Sequence, residues 1–278
     1  MRGIHIAAVI TTATALALYG ALLKRLSDTS DRRRLLLAFC LTLPLQPLAF
    51  YLVRVPLDAW LVHLLGKDSG LYLFLTTFYA PLTEEPAKLL PLMIPLIYRS
   101  IRRENFVHFA LALGVGFGIG EMWFLAERVA RMPEFAPLPF YMFGGFFVER
   151  LMVCLMHGGF TAVALRKLRN GFLWGVLGAM ALHYIGNFPL YLAALDFGKL
   201  GKTTWQVILT IWVPLYFLSM LALLARLNYG RFEVGRFAFG ETRCPECGLM
   251  YPRPLLGLNF FKWRYERCPH CRKFHWVG

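Results

Sequence analysis

The chain has 278 residues, of which 58% are hydrophobic and only 17% are charged, and its mean hydropathy is +0.52. A soluble domain needs about a quarter of its residues charged, so this composition excludes an ordinary soluble enzyme and predicts a protein that crosses the membrane several times. The net charge of +14 would suggest a nucleic-acid partner in a soluble protein. In a membrane protein, the positions of Lys and Arg in the loops indicate the orientation of the chain. The net charge therefore does not predict a nucleic-acid partner here.

Seven apolar segments approach or exceed the roughly 20 residues that span a bilayer. They are residues 4–23, 35–53, 70–98, 106–126, 140–165, 171–195 and 205–227. The predicted fold class is therefore an all-α polytopic membrane protein with about seven transmembrane helices in residues 1–227. Residues 228–278 form a separate, β-rich domain in this prediction.

The loops between these segments alternate in charge. Residues 24–34, 99–105 and 166–170 are strongly basic, and the intervening loops carry fewer cations. By the positive-inside rule the basic loops are cytoplasmic, which places the N-terminus outside and the C-terminal tail in the cytosol. The first segment is expected to stay as a span, because a cation cluster follows its full-length apolar run. Residues 54–69 are expected to include a short helix on the outer interface.

The third segment carries two adjacent carboxylates and a lysine, Glu84, Glu85 and Lys88, at bilayer depth. Each such group costs roughly 2.5–3.5 kcal/mol to insert, so it usually lines a protein interior or a wet cavity. Glu84 and Lys88 are four residues apart, and their mutual neutralisation would explain both while leaving Glu85 unexplained. Four prolines between residues 81 and 95 predict a kinked, hydrated segment.

Polar residues follow on the next three segments: Glu121, then His157, then His183 with Asn187 one turn later. Together with the third segment they predict one shared functional site across four spans. At 1.5 Å per residue, Glu121 and His157 are expected about 10 Å apart along the membrane normal. Tilt or kinks would then have to bring them together.

Hydrolysis of an amide inside a membrane is one chemistry that suits this set. A buried glutamate can act as the base that activates water, and His183 with Asn187 can hold the developing oxyanion. Alternatively, His157, His183 and a carboxylate offer the ligand types of Zn²⁺, with a second carboxylate as base. No HExxH motif is present, so a catalytic zinc would have to be assembled across helices.

The order Glu84-Glu85-x-x-Lys88, Phe117-x-x-x-Glu121, His157 and His183 resembles the PrsW family of intramembrane proteases. That family is related to the type II CAAX prenyl endopeptidases, to bacterial Abi proteins and to the Aph-type subunit of gamma-secretase. The resemblance covers roughly residues 70–195. It implies a multi-span peptidase that cuts membrane-anchored proteins such as anti-sigma factors, and it suggests a prokaryotic plasma membrane.

The resemblance also implies roles for individual residues. Glu84 and Glu85 match the glutamate pair, and Lys88 matches its basic partner. Glu121 stands where the CAAX enzymes have a histidine, an exchange typical of the PrsW branch. The remaining matches are His157 as the additional histidine and His183-x-x-x-Asn187 as the oxyanion pair.

A second hypothesis belongs to another class of protein. A non-catalytic membrane scaffold, or a transporter of small solutes, would use the same polar residues as a buried network or an ion path. Inverted repeats would favour a transporter, and the sequence shows none. Mutual pairing of the charges would favour a scaffold.

The tail contains two CxxC motifs, and the spacing of their four cysteines is typical of a structural Cys₄ zinc ribbon. The four are Cys244, Cys247, Cys268 and Cys271. A disulfide is not expected in the cytosol. Nearby histidines, His270 and His275, are expected to be spectators, and the basic, aromatic surface predicts contact with the inner leaflet or a docked protein tail.

Overall fold

The computed structural model describes residues 2–27, 29–229, 241–253, 258–260 and 263–277. The chain divides into two compact units, Met1–Asn228 and Tyr229–Gly278. The first unit is built of helices and the second contains short strands. Six helices in the described residues are long and apolar enough to cross a membrane, which identifies a membrane protein at the level of length and composition.

These six helices are Gly3–Leu26, Arg32–Leu65, Phe106–Ala130, Phe140–Arg166, Phe172–Ala194 and Lys202–Asn228. The α-helices in chain order are α1 (Gly3–Leu26), α2 (Arg32–Thr42), α3 (Leu45–Ala49), α4 (Val55–Leu65), α5 (Gly70–Thr76), α6 (Tyr79–Leu89), α7 (Pro95–Tyr98), α8 (Phe106–Ala130), α9 (Gly144–Arg166), α10 (Phe172–Ala194) and α11 (Lys202–Tyr229). The central element is α8, which is buried along most of its length and contacts α1, α2, α3 and α9.

The third predicted span is a broken segment and not a single helix. It contains α5, α6, a 3₁₀ turn (Leu90–Met93) and α7. The chain leaves the helix at Ile94, whose ψ of 114° is extended, because the following Pro95 disfavours the helical conformation before it. Pro91 is the second residue of the 3₁₀ turn, and it has no N–H with which to continue the hydrogen bonds of α6. The predicted kink is therefore present, while the predicted number of seven spans stays a prediction.

The helix predicted within residues 54–69 is α4, which is continuous with the second long helix, and its position at the outer interface stays a prediction. The second long helix continues from α2 through α3 and a π-helix (Phe50–Arg54) into α4. The π-helix lies directly before Pro56, whose ring would otherwise meet the carbonyl of Leu52. As a result Arg54, expected in an outer loop, is only 18% exposed and points into the protein.

The basic loops meet at one end of the helical unit. Asp31 accepts hydrogen bonds from Arg102 and Asn105, and Arg169 donates to the backbone carbonyls of Tyr98 and Ile101. The broken segment begins near Asp58, which accepts hydrogen bonds from Tyr72 and Tyr79, and it ends at the basic loops.

Glycines set the packing of α8 against α9. A Cβ atom at Gly114 would overlap the backbone of Gly158, and one at Gly118 would overlap Cys154. These two contacts fix an antiparallel register in which the helices approach closely.

The second unit has two small sheets among its described residues. Strand β1 (Glu241–Arg243) pairs antiparallel with β2 (Met250–Pro252). Strands β3 (Leu258–Phe260), β4 (Trp263–Arg267) and β5 (Phe274–Val277) form an antiparallel sheet in that order. Each CxxC motif lies at the start of a turn that follows a strand.

Candidate active site

The centre of the candidate site is Glu85 on α6. Its Oε1 accepts hydrogen bonds from Lys88 Nζ and His183 Nδ1, each at 2.6 Å. Glu85 is 1% exposed and Lys88 is not exposed at all. The ammonium group of Lys88 also lies 5.2 Å from the ring of Phe117 and 5.4 Å from that of Phe160. This arrangement corrects the expected pairing, because Lys88 binds Glu85 at i,i+3 and not Glu84 at i,i+4.

A chain of contacts extends from Lys88 to the next two helices. Lys88 Nζ lies 2.8 Å from His157 Nδ1, and His157 Nε2 lies 3.0 Å from Glu121 Oε2. Glu121 also faces Arg150 Nη1 at 3.4 Å, and Arg150 binds Glu149 at 2.6 Å. Side chains from four of the predicted spans thus meet around the imidazoles of His157 and His183.

The expected 10 Å separation of Glu121 and His157 is closed by their side chains. With Gly114 opposite Gly158, His157 lies opposite residue 115, about six residues or 9 Å from the level of Glu121. Helical side chains lean toward the N-terminus of their own helix. In antiparallel helices these two lean toward each other, so no kink is needed.

Glu84 lies on a different face of α6 and has a different partner. Its Oε1 accepts from Arg54 Nη2 at 2.8 Å, and Arg54 also donates to Thr83 at 2.9 Å. Its Oε2 is buried without a hydrogen-bond partner and faces His183 Nε2 across 3.9 Å. A carboxylate and an imidazole separated by more than about 3.5 Å can be bridged by a water.

Asn187 is the predicted residue that lies outside this set of contacts. It is half-buried one turn after His183 on α10 and interacts with Tyr191, which lies within electrostatic range of Glu84. Its proposed role beside His183 stays a prediction.

Two cations of the site were not predicted as site residues. Arg54 binds Glu84 and Arg150 binds Glu121. The sequence did indicate that further cations were needed. Three carboxylates and one lysine at bilayer depth leave two negative charges without a partner.

The buried polar set includes donors for a metal ion. Glu84, His157 and His183 each place one ligand atom within 4.8 Å of the others. The set fits Zn²⁺ in ligand type, and Glu85 and Glu121 would orient the two imidazoles from behind. However, the ammonium of Lys88 lies on His157 Nδ1, so a metal there would have to displace it.

The four tail cysteines form a second cluster. Sγ of Cys244 lies 3.7 Å from that of Cys271, and Sγ of Cys247 lies 3.8 Å from that of Cys268. All four could hold a metal ion. Burial opposes ionisation of Cys244, but the backbone N–H groups of Cys247 and Glu246 outweigh it and lower the thiol's pKa to about 7.

The two CxxC turns are built alike. Cys244 N donates to Leu249 O, and Cys268 N donates to Lys273 O, each at 3.0 Å. Each turn closes on a residue with positive φ, Gly248 in the first and Arg272 in the second.

His275 has a closer relation to this cluster than a spectator would. It is buried, its Nδ1 lies 3.9 Å from Cys244 Sγ, and its Nε2 lies 2.8 Å from the Tyr251 hydroxyl. Tyr251 in turn donates to Glu266 at 2.8 Å. His275 therefore supports the cysteines from outside their set.

Comparisons of the chain with protein-family models, curated proteins and solved structures found no match.

Proposed function

We propose that the helical unit is an intramembrane peptidase that hydrolyses peptide bonds of membrane-anchored proteins. The observation that carries this proposal is the unpartnered Oε2 of Glu84, buried and 3.9 Å from His183 Nε2. A water held between these atoms would have a base on one side and an imidazole on the other. That is the arrangement general-base hydrolysis requires.

The other groups have complementary tasks in this proposal. Glu85 binds Nδ1 of His183 and fixes its ring orientation, as Glu121 does for His157. Lys88 and Arg54 supply positive charge for an oxyanion that forms nearby. If zinc binds Glu84, His157 and His183, it would polarise the scissile carbonyl and acidify its water, and Glu85 would orient the ligand His183.

A reconstitution assay tests this proposal. The protein is placed in liposomes with a panel of single-span substrates, and cleavage is compared for wild type, Glu84→Gln and His183→Ala. Removing a general base typically lowers the rate by about 10²–10⁴-fold. Glu134→Gln, which changes an exposed carboxylate in a loop, should cleave like wild type. Cleavage that survives both site variants would end the assignment.

The same contacts favour a non-catalytic scaffold as the second candidate. Glu84, Glu85 and Glu121 are each paired with a cation, as a purely structural network would have them. The two candidates differ at Glu84→Gln, which keeps the shape of the side chain. In a peptidase this variant abolishes cleavage. In a scaffold it lowers the stability, and neither the variant nor the wild type cleaves a substrate.

We also propose that the tail is a Cys₄ zinc ribbon. Zn–S bonds of about 2.3 Å in a tetrahedron place sulfurs about 3.8 Å apart, close to the observed 3.7 and 3.8 Å. Four thiolates leave no open position, so this zinc would be structural. Elemental analysis should find one zinc fewer per chain in Cys268→Ser than in wild type, whereas Cys40→Ser, which changes an exposed cysteine elsewhere, should keep the wild-type content.

The orientation deduced from the charges is part of the same proposal. The basic loops would lie in the cytoplasm, as would the ribbon, which would contact the inner leaflet or a docked protein tail. Labelling of single cysteines from each side of sealed vesicles tests this topology.

A further inference from the structure

A groove runs between α1 and α2 on the outer surface of the helical unit. It encloses about 320 Å³, and its walls are aliphatic and aromatic side chains that include Leu16, Leu36 and Phe39. Leu16 is 47% and Leu36 62% exposed, so the groove opens toward the space that lipid would fill.

Along α1 the groove extends from Ala15 to Ser27. Twelve residues at 1.5 Å each make it about 18 Å long. Half of a 30 Å hydrocarbon core is about 15 Å, so the groove has the length of one leaflet.

The mouth of the groove is positively charged. Lys24 and Arg32 line it, and both are exposed. The loop from residue 24 to residue 34 has five Lys or Arg and two Asp residues. Of the two carboxylates, Asp31 is buried against Arg102 and Asn105, and Asp28 lies outside the described residues.

A second cavity, of about 630 Å³, shares Leu16 and Phe39 with the first and continues along the other half of the helices. Its far end has Arg131, which is already paired with Glu127 at 3.9 Å. The two halves thus differ in charge at their mouths, and the basic one alone suits an anionic headgroup.

We propose that this groove binds an anionic phospholipid, with one acyl chain between α1 and α2 and the phosphate on Lys24 and Arg32. The length of the groove, its apolar walls and the cations at a single end together select this ligand. The site lies outside the candidate active site and does not depend on its function.

Native mass spectrometry of the full chain in detergent tests the proposal with phosphatidylglycerol and phosphatidylcholine of identical acyl chains. Two cations should favour the anionic lipid by about 30-fold. In Lys24→Gln/Arg32→Gln the preference should fall to near unity. The control Arg33→Gln removes one charge from the same loop outside the groove and should keep most of the preference.

A second variant separates the acyl chain from the headgroup. A Cβ atom added at Gly20, which lines the groove, would meet no atom within 4 Å, so the side chain of Gly20→Leu has room to extend into the groove. It should weaken binding of both lipids, whereas Gly145→Leu, equally free of contacts, should not. Equal binding of the two lipids by wild type, or unchanged binding in Gly20→Leu, would overturn the proposal. Thermal unfolding of each variant checks that the helices remain folded.

Discussion

The pair of Glu85 and Lys88 offers a quantitative test of the site. Neither group has contact with solvent, and the ammonium of Lys88 has one carboxylate within reach, at 2.6 Å. Glu85→Gln keeps the shape of the side chain and removes the charge. Breaking a buried pair in this way typically costs about 3–5 kcal/mol, because one charge stays buried without compensation.

The second single variant, Lys88→Met, should lower the free energy of unfolding by less than Glu85→Gln does. It leaves Glu85 with the hydrogen bond from His183 Nδ1, also at 2.6 Å, so we expect the lower end of that range. The double variant Glu85→Gln/Lys88→Met has no buried charge at this position. Replacing a whole buried pair by neutral groups is often nearly neutral. The double variant should therefore be more stable than Glu85→Gln alone, which requires a coupling energy larger than the cost of about 3 kcal/mol expected for Lys88→Met by itself.

The free energy of unfolding can be measured by denaturant titration in bicelles, followed by circular dichroism. The matched control is the same cycle at Glu127 and Arg131, an i,i+4 pair whose side chains are 56% and 77% exposed. There the coupling should be about 0.5 kcal/mol or less. If the costs at Glu85 and Lys88 simply add, the two charges are not paired in the folded protein and the deduced network is wrong.

Three further outcomes follow from the structure. Arg54→Met should lower the free energy of unfolding by about 3–5 kcal/mol, since Glu84 loses its cation; restored stability in Arg54→Lys would show that charge is what matters. Gly114→Leu should be destabilising by 1–3 kcal/mol or more in the same assay because its Cβ meets the α9 backbone, while Gly145→Leu should be neutral. Zinc affinity of the tail, measured by competition with a chelator, should weaken as the pH falls, and more steeply below about 7, because protons then compete for the Cys244 thiolate as well as for the other three.

Much of the site could be predicted because lipid makes polar residues informative. A glutamate or histidine at bilayer depth needs a partner, so Glu85, His157 and His183 could be grouped before their helices were placed. The choice among partners could not be predicted. Positions i+3 and i+4 lie on neighbouring faces, and Lys88 binds Glu85 because Arg54 already occupies Glu84.

The position of Arg54 depends on a local feature that periodicity does not show. The π-helix before Pro56 adds a residue to one turn, and this rotation brings Arg54 inward. In the tail, by contrast, the spacing of the cysteines was enough to group them, since a CxxC turn brings its own two sulfurs together. The position of His275 beside the cysteines depends on the pairing of β4 with β5, and the sequence of such short strands does not predict how they pair.

The buried charges of the candidate site sum to zero when both of its histidines are neutral. Glu84, Glu85 and Glu121 are matched by Arg54, Lys88 and Arg150, and the two histidines can remain neutral. Proton transfer from a water to one of these carboxylates moves charge within the set and leaves its sum unchanged. A cation that entered from outside would raise the sum by one or two, at a cost that low dielectric makes large. This balance agrees better with the proposed hydrolysis than with cation transport. A metal ion at Glu84, His157 and His183 would have to displace a proton or the ammonium of Lys88 from the site.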